Sequence, residues 1–373
     1  MKNGKIVNSK LSNCKIFCIF AKNLCLEDML SQKISYTEVA EAKRMFEACR
    51  NVVIVSHISA DGDAIGSSLG LYEYLKKKGK QVTVIMPNYF PDFLKWMTDA
   101  DKIIQYDRRR AMAKTFITAA DLIVVLDLNE PSRLDDLATP ISYSKAKKIM
   151  IDHHLHPQKF CDLTISYPDA SSTSELVFRL IDAITGMSGL TKAGAEDLYA
   201  GMCTDTGKFT YGANDPDLYV ILSELLKKGI DKDKINRQIY NNFTEARFRL
   251  LGYILSEKLQ VFPDLHATLF TLTRDELSRF SYVKGDTEGV VNMPLEIKGT
   301  KLSIYMREDT EHPRIFVSLR SVDDFPANKV AAEFFNGGGH LNAAGGQLQN
   351  ISMDEAVEIA KKALEAYAKL LTA

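Results

Sequence analysis

NVVIVSHISADGD, residues 51–63, is the stretch whose reading decides the fold. Residues 51–56 are mostly β-branched, with no polar alternation. Such a run suits a strand buried on both faces, as in the centre of a parallel sheet. The next seven residues carry His57, Asp61 and Asp63. Side chains placed directly after a central strand stand at its carboxyl end, where open α/β sheets bind their ligands.

The pattern recurs. Residues 81–86 are QVTVIM, 121–126 are DLIVVL and 148–151 are KIMI. Helical periodicities separate these runs. One spans 36–50, with Val39, Ala42, Met45 and Phe46 in step; another spans 67–78, with Leu69, Tyr72 and Leu75 on one face and Gly79 placed to end it. Strand alternating with helix predicts an α/β domain built on a doubly wound parallel sheet. Polar clusters again follow the runs: Asp127 after 121–126, and Asp152-His153-His154 after 148–151. Thr204-Asp205-Thr206-Gly207 follows a helical pattern over 193–202.

These residues would bring several carboxylates and imidazoles to one spot, and without a cation the cluster would repel itself. Two divalent cations would neutralise it. A mixed carboxylate and imidazole set suits Mn²⁺, with Mg²⁺ or Co²⁺ as alternatives. A carboxylate shared between two ions holds them about 3.5–4 Å apart. Each element alone says little. Asp-x-Asp serves equally well in a turn, and a lone His after a strand is more often a satisfied polar group than a ligand. Their joint placement at successive strand ends carries the reading.

Beyond about residue 213 the pattern changes. Residues 216–258 read as largely helical, with Pro216 near the start. Residues 266–272, 301–307 and 314–319 read as strands of a second, smaller sheet. Ser352 and Glu355 form a capping box that opens a last helix with Val357, Ala360, Leu364, Tyr367 and Leu371 on its apolar face. The run Gly337-Gly338-Gly339 can present backbone N–H groups to an anion, with His340 and Asn342 adding side-chain hydrogen bonds. Arg320, after the third strand run, can grip a phosphate with two parallel bonds. The plainer alternatives are a flexible loop and a surface charge. The Ser171–Ser174 run reads mainly as a cap for a helix starting near Glu175, with a phosphate site as the alternative. Lys208 reads as solvent-exposed.

Composition narrows the function classes. Lys and Arg total 47 against 48 Asp and Glu, a net charge of −1 over 373 residues. No global field attracts long duplex nucleic acid, and no apolar run reaches the length of a membrane span. The six cysteines, Cys14, Cys18, Cys25, Cys49, Cys161 and Cys203, show no zinc spacing and no dense disulfide framework. Free thiols fit a reducing cytoplasm, which is the expected location. Residues 14–26 are mildly apolar, but Lys15, Lys22 and Asn23 interrupt them, so a signal peptide is a poor reading. Residues 1–35 stay unassigned, and Met29 could itself begin a complete domain.

In order along the chain, His57-x-x-x-Asp61-x-Asp63, Asp127, Asp152-His153-His154, Ser171-Ser172-Thr173-Ser174-Glu175, Asp205, Gly337-Gly338-Gly339-His340 and Ala343-Ala344-Gly345 resemble the DHH phosphoesterase superfamily over residues 36–350. The resemblance implies a catalytic domain over 36–215, a helical linker over 216–258 and a smaller α/β substrate-binding domain over 259–373, with the active site in the cleft between the domains. It implies that His57, Asp61 and Asp127 hold one cation, and that Asp63, Asp127, His153 and Asp205 hold the other. His154 would face the substrate phosphate, and Asp152 would orient an imidazole. A chain of this size is most similar to family members that degrade very short RNA and dephosphorylate pAp (3′-phosphoadenosine-5′-phosphate). The expected partners are therefore short RNA or a nucleotide bisphosphate. A cyclic- or linear-dinucleotide phosphodiesterase is the alternative. A non-catalytic nucleotide-binding regulator would predict lost ligands, yet all six candidates are present. A pyrophosphatase or a processive exonuclease fits less well. The oligomeric state is left open, a homodimer included.

Overall fold

β1 (Asn51–Val55) and β4 (Leu122–Leu126) lie side by side at the centre of a six-stranded sheet, where the strand order reverses. The structure is a computed structural model that describes residues 30, 32–241 and 243–372. Cys14, Cys18, Cys25 and the apolar stretch 14–26 fall outside the described residues. The chain divides into two compact units. One runs to Asn236; the other runs from Arg237 and takes in Pro91–Phe93.

In the first unit the sheet order is β3-β2-β1-β4-β5-β6, and every pairing is parallel. β2 (Gln81–Met86) and β5 (Lys147–Asp152) match the apolar runs. β3 (Ile104–Gln105) and β6 (Leu163–Ser166) are too short to stand out in sequence. This is the expected doubly wound sheet, and its switch point falls between β1 and β4.

One helix begins earlier than its periodicity suggests. It spans Gly62–Lys77, not 67–78, and Asp61 caps it by accepting the N–H groups of Asp63 and Ala64, each at 3.0 Å. Residues 62–71 are buried on every side. A helix without a solvent face shows no amphipathic stripe, and its glycines lower its apparent propensity. Those glycines have a packing role. A Cβ at Gly66 would lie 2.6 Å from the Asp197 carbonyl oxygen and 2.8 Å from the Gly201 nitrogen. The Gly62–Lys77 helix therefore rests backbone to backbone on the helix Lys192–Asp205. Gly79 ends the first of these with φ 77°.

The second unit holds another six-stranded sheet, ordered β11-β12-β10-β9-β8-β7. β7 (Gln260–Phe262) was not foreseen. β8 (Ala267–Leu272), β9 (Leu302–Glu308) and β10 (Arg314–Ser321) are the anticipated strands. The glycine run, for which a flexible loop was the plainer alternative, is in part a strand. β11 (Gly338–Gly339) pairs antiparallel with β12 (Ala343–Gln349). A Cβ at Gly337 would come within 1.9 Å of the Gly345 carbonyl oxygen, so this crossing admits only glycine. Helices Ala327–Phe334 and Met353–Ala366 supply Val330, Ala331, Ala360 and Leu364 to the core beneath this sheet. The Ser352–Glu355 capping box is formed. The last helix stops at Ala366, and the separate turn Ala368–Thr372 supplies Leu371. No helix among the described residues is long and apolar enough to cross a membrane.

Gly66→Ala should destabilise the protein by about 1–3 kcal/mol or more, because neither backbone can yield to the added methyl group. Gly252, in the helix Glu245–Tyr253, has nothing within 4 Å of a Cβ and serves as the control. Gly252→Ala should leave stability unchanged or raise it by up to about 1 kcal/mol. Urea unfolding of both variants checks this; equal effects at the two positions would contradict the packing account.

Candidate metal centre

The ends of β1 and β4 are tied together by Ser56, whose Oγ donates to the Leu126 carbonyl at 2.7 Å. The next residue on each strand carries chemistry. His57 follows on one side and Asp127 on the other, the latter with φ 59°. A left-handed non-glycine residue is uncommon and tends to occur where structure over-determines it. The Asp127 N–H donates to the Ile151 carbonyl at 3.1 Å, which holds that conformation against β5.

The ligand-type side chains gather into two groups. His57, Asp61 and Asp127 place such atoms within 4.8 Å of one another, and so do Asp63, His153 and Asp205. Asp127 reaches toward both. Its Oδ2 lies 3.4 Å from His57 Nε2, and its Oδ1 lies 3.7 Å from His153 Nε2. His57 Nε2 is also 3.8 Å from Asp61 Oδ2, and His153 Nε2 is 3.4 Å from Asp205 Oδ2. Asp205 closes its helix and is followed by Gly207, exposed Lys208 and Phe209, all with positive φ.

The donor set fits divalent cations. His57 Nδ1 donates to the Ile58 carbonyl at 2.8 Å, and His153 Nδ1 to the Ala170 carbonyl at 3.2 Å. With the hydrogen on Nδ1, each ring turns the lone pair of Nε2 toward the carboxylates. His57 Nε2 is buried and has no hydrogen-bond partner. Asp63 is held differently. Its Oδ2 accepts the Thr173 N–H at 2.6 Å and its Oδ1 the Ser174 N–H at 2.9 Å, both from the first turn of the helix Thr173–Thr185. The positive end of a helix suits that carboxylate. The Ser171–Ser174 run therefore does two things. Ser172 Oγ caps the Glu175 N–H at 3.1 Å, while its neighbours grip Asp63. Thr173 Oγ1 also donates to Asp127 Oδ1 at 3.1 Å.

Electrostatics point the same way. Burial opposes a charge on His57, but Asp127 and Asp61 outweigh it and raise its pKa to about 10. His153 is likewise raised to about 9, against burial, by Asp205 and Asp127. Burial and the charges of Asp127 and Asp205 push Asp63 well above the usual carboxylate range. Protons here occupy a field strong enough to hold cations.

Asp152 binds His154 twice, through Nδ1 at 2.7 Å and the backbone N–H at 3.1 Å. The sequence reading missed Arg133, whose Nη1 lies 2.8 Å from His154 Nε2. A single arginine in the polar stretch NEPSRLDD carries no periodic or motif signal. In the second unit two of the candidate residues lie around Ala343, at the start of β12. Arg320 stands opposite Ala343 across the β10–β12 pair, and the His340 N–H donates to the Ala343 carbonyl at 2.8 Å. Asn342 differs from expectation: its amide nitrogen is committed to Ser321 Oγ at 3.0 Å and the Asp323 carbonyl at 2.8 Å, so it braces the turn.

Comparison with known proteins agrees with this picture. Residues 51–202 match the DHH family, N-terminal domain, and residues 272–369 match the DHHA1 domain. A crystal structure of an exopolyphosphatase-related protein from Bacteroides fragilis is 51% identical, with a TM-score of 0.88 over 92% of this chain and 100% of that one. The bifunctional oligoribonuclease and PAP phosphatase NrnA of Thermus thermophilus is 29% identical over 90% of this chain and 94% of its own length. The cyclic-di-AMP phosphodiesterase PdeA of Listeria monocytogenes is 26% identical over 85% of this chain but 48% of its own length.

Loading the site with Mn²⁺ at pH 8 should release protons, because His57 and His153 titrate near 10 and 9 in its absence. Raised imidazole pKa values mean that protons compete with the metal, so affinity should rise with pH up to about 9–10 and fall on acidification. Calorimetry in buffers of different ionisation enthalpy measures the release. Binding without proton release would contradict this electrostatic account.

Proposed function

Because the chain belongs to the DHH family and is a metal-dependent phosphoesterase, we propose that it hydrolyses very short oligoribonucleotides to 5′-mononucleotides and removes the 3′-phosphate of pAp. The observation that carries the reading is Asp127, one oxygen facing each half of a divided ligand set. On this reading His57, Asp61 and Asp127 hold one Mn²⁺, and Asp63, Asp127, His153 and Asp205 hold the second, with Mg²⁺ or Co²⁺ as alternatives. Bound there, two divalent cations supply Lewis-acid charge to the phosphoryl oxygens and acidity to an attacking water.

The chain's own residues prepare that chemistry. The carbonyls of Ile58 and Ala170 fix the tautomers of His57 and His153. The Thr173 and Ser174 N–H groups hold Asp63 in place before any substrate arrives. Such prior positioning is where much of the catalytic benefit of a polar site lies. Asp152 fixes the His154 ring at the side of the cluster that the substrate phosphate would meet. In the second unit, Arg320, His340 and the N–H groups of Gly338 and Gly339 are proposed to clamp a substrate phosphate. Cys49, Cys161 and Cys203 form no disulfide among the described residues, which fits a cytoplasmic enzyme.

Similarity favours short RNA and pAp over a cyclic dinucleotide, and charge favours short substrates over long strands. The NrnA relative is 29% identical and PdeA 26%. The net charge of −1 gives no global attraction to long strands, which favours substrates with few phosphates. The cyclic-di-AMP reading stays as the second, supported by the PdeA likeness.

Asp127→Asn should cut turnover at least about tenfold while circular dichroism stays as in the wild type, since a neutral amide weakens both halves of the site. More than about a tenth of normal turnover would contradict the bridging role. With Mn²⁺, a panel of pAp, cyclic-di-AMP and RNA of increasing length at two salt concentrations tests the substrate. pAp and RNA of two to four nucleotides should react much faster than strands of about twenty, with a shallow salt slope. Equal rates at all lengths, or preference for cyclic-di-AMP, would reject it.

A further inference from the structure

We propose that Arg133 is a phosphate-binding residue of the catalytic unit and that His154 is the residue that positions it. Arg133 lies in the turn Pro131–Leu137, which follows β4 and Asp127. Its backbone is sewn to the other half of the site, because its carbonyl accepts the Ile58 N–H at 2.7 Å, one residue beyond His57. Its side chain is half-buried, with Nη1 2.8 Å from His154 Nε2.

Donor and acceptor roles at that contact are determined by chemistry. A guanidinium has only donors, so His154 Nε2 must accept. The ring hydrogen then sits on Nδ1 and is donated to Asp152 Oδ1 at 2.7 Å, while Asp152 Oδ2 takes the His154 N–H. In this arrangement the outer nitrogen of His154 has no hydrogen to offer a phosphate. The cationic donor at that position is Arg133.

The location suits an anion. His154 Nδ1 is 3.7 Å from Asp127 Oδ1, so Arg133 is one imidazole removed from the carboxylate that faces both ligand groups. Among the described residues Arg133 makes no ion pair with a carboxylate, in contrast to Arg110, which pairs with Asp136, and Arg179, which pairs with Glu175. One of its five N–H groups is used by His154, which sets the plane of the fork and leaves the others for two oxygens of one phosphoryl group. The ligand class is a phosphate mono- or diester. The inference rests on the phosphoesterase reading, and it moves the phosphate contact expected of His154 onto Arg133, with the imidazole as its support.

The test uses AMP as the probe and calorimetry as the readout, on full-length protein loaded with Mn²⁺. Arg133→Ala should weaken AMP about 10- to 100-fold, as expected for losing charge-assisted hydrogen bonds, and raise KM for pAp in parallel. Bound manganese and Tm should stay at wild-type values. Arg133→Lys should recover part of the loss, because it restores charge but not the fork. His154→Ala should weaken AMP less than Arg133→Ala. Unchanged AMP affinity in Arg133→Ala, no AMP binding to the wild type, or loss of manganese and Tm along with affinity would overturn the proposal. Arg133-dependent AMP binding without pAp or RNA hydrolysis would keep the inference and reject only the proposed substrates.

Discussion

Two helices that touch backbone to backbone hold together a cluster of like charges that would otherwise spread apart. The contact is possible because Gly66 and Gly201 carry no side chain; a Cβ at Gly201 would fall 2.0 Å from Ser174 Oγ and 3.0 Å from Asp63 Oδ1. Asp63 stands at the start of one helix and Asp205 at the end of the other. Their separation is therefore set by packing rather than by loop geometry. The third helix, Thr173–Thr185, closes the arrangement by aiming two N–H groups at Asp63. Sites carried on rigid elements lose little geometry to fluctuation.

That third helix is itself braced by buried charge. Glu175, fully buried, accepts the Ser171 N–H at 2.7 Å and Arg179 Nε at 2.7 Å. Arg179 continues to Asp217 at 3.2 Å, and Lys33 reaches Asp215 at 3.1 Å. Removing Arg179 would leave the fully buried Glu175 without its guanidinium partner, so this network acts as a strut. The site thus combines a core that repels itself with a neighbouring network of opposite charges, Glu175, Arg179 and Asp217. Cations of charge two relieve the first without disturbing the second.

Much of the centre was legible because β1, β4 and β5 are buried over their last four residues or more, and such strands leave an apolar signature that ends abruptly in chemistry. His57, Asp61, Asp63, Asp127 and His153 could be picked out for that reason, Asp205 came from the motif that follows a helical pattern, and all six do converge. What escaped notice lacked such a signature. The Gly62–Lys77 helix has no solvent face over its first turns, so periodicity placed its start late. β3 has two residues and its pairing comes from neighbours rather than from its own pattern. The Gly338–Gly339 strand reads as a loop because glycine records a close crossing only once the crossing chain is known. Arg133 was invisible because its meaning lies in a contact with His154, 21 positions away.

The central claim is that Asp127 stands between two cations. Anomalous diffraction at the manganese edge, from crystals grown with Mn²⁺, measures this directly. Two peaks about 3.5–4 Å apart are expected, with one oxygen of Asp127 directed at each. A single peak, or two peaks that do not share Asp127, would contradict it.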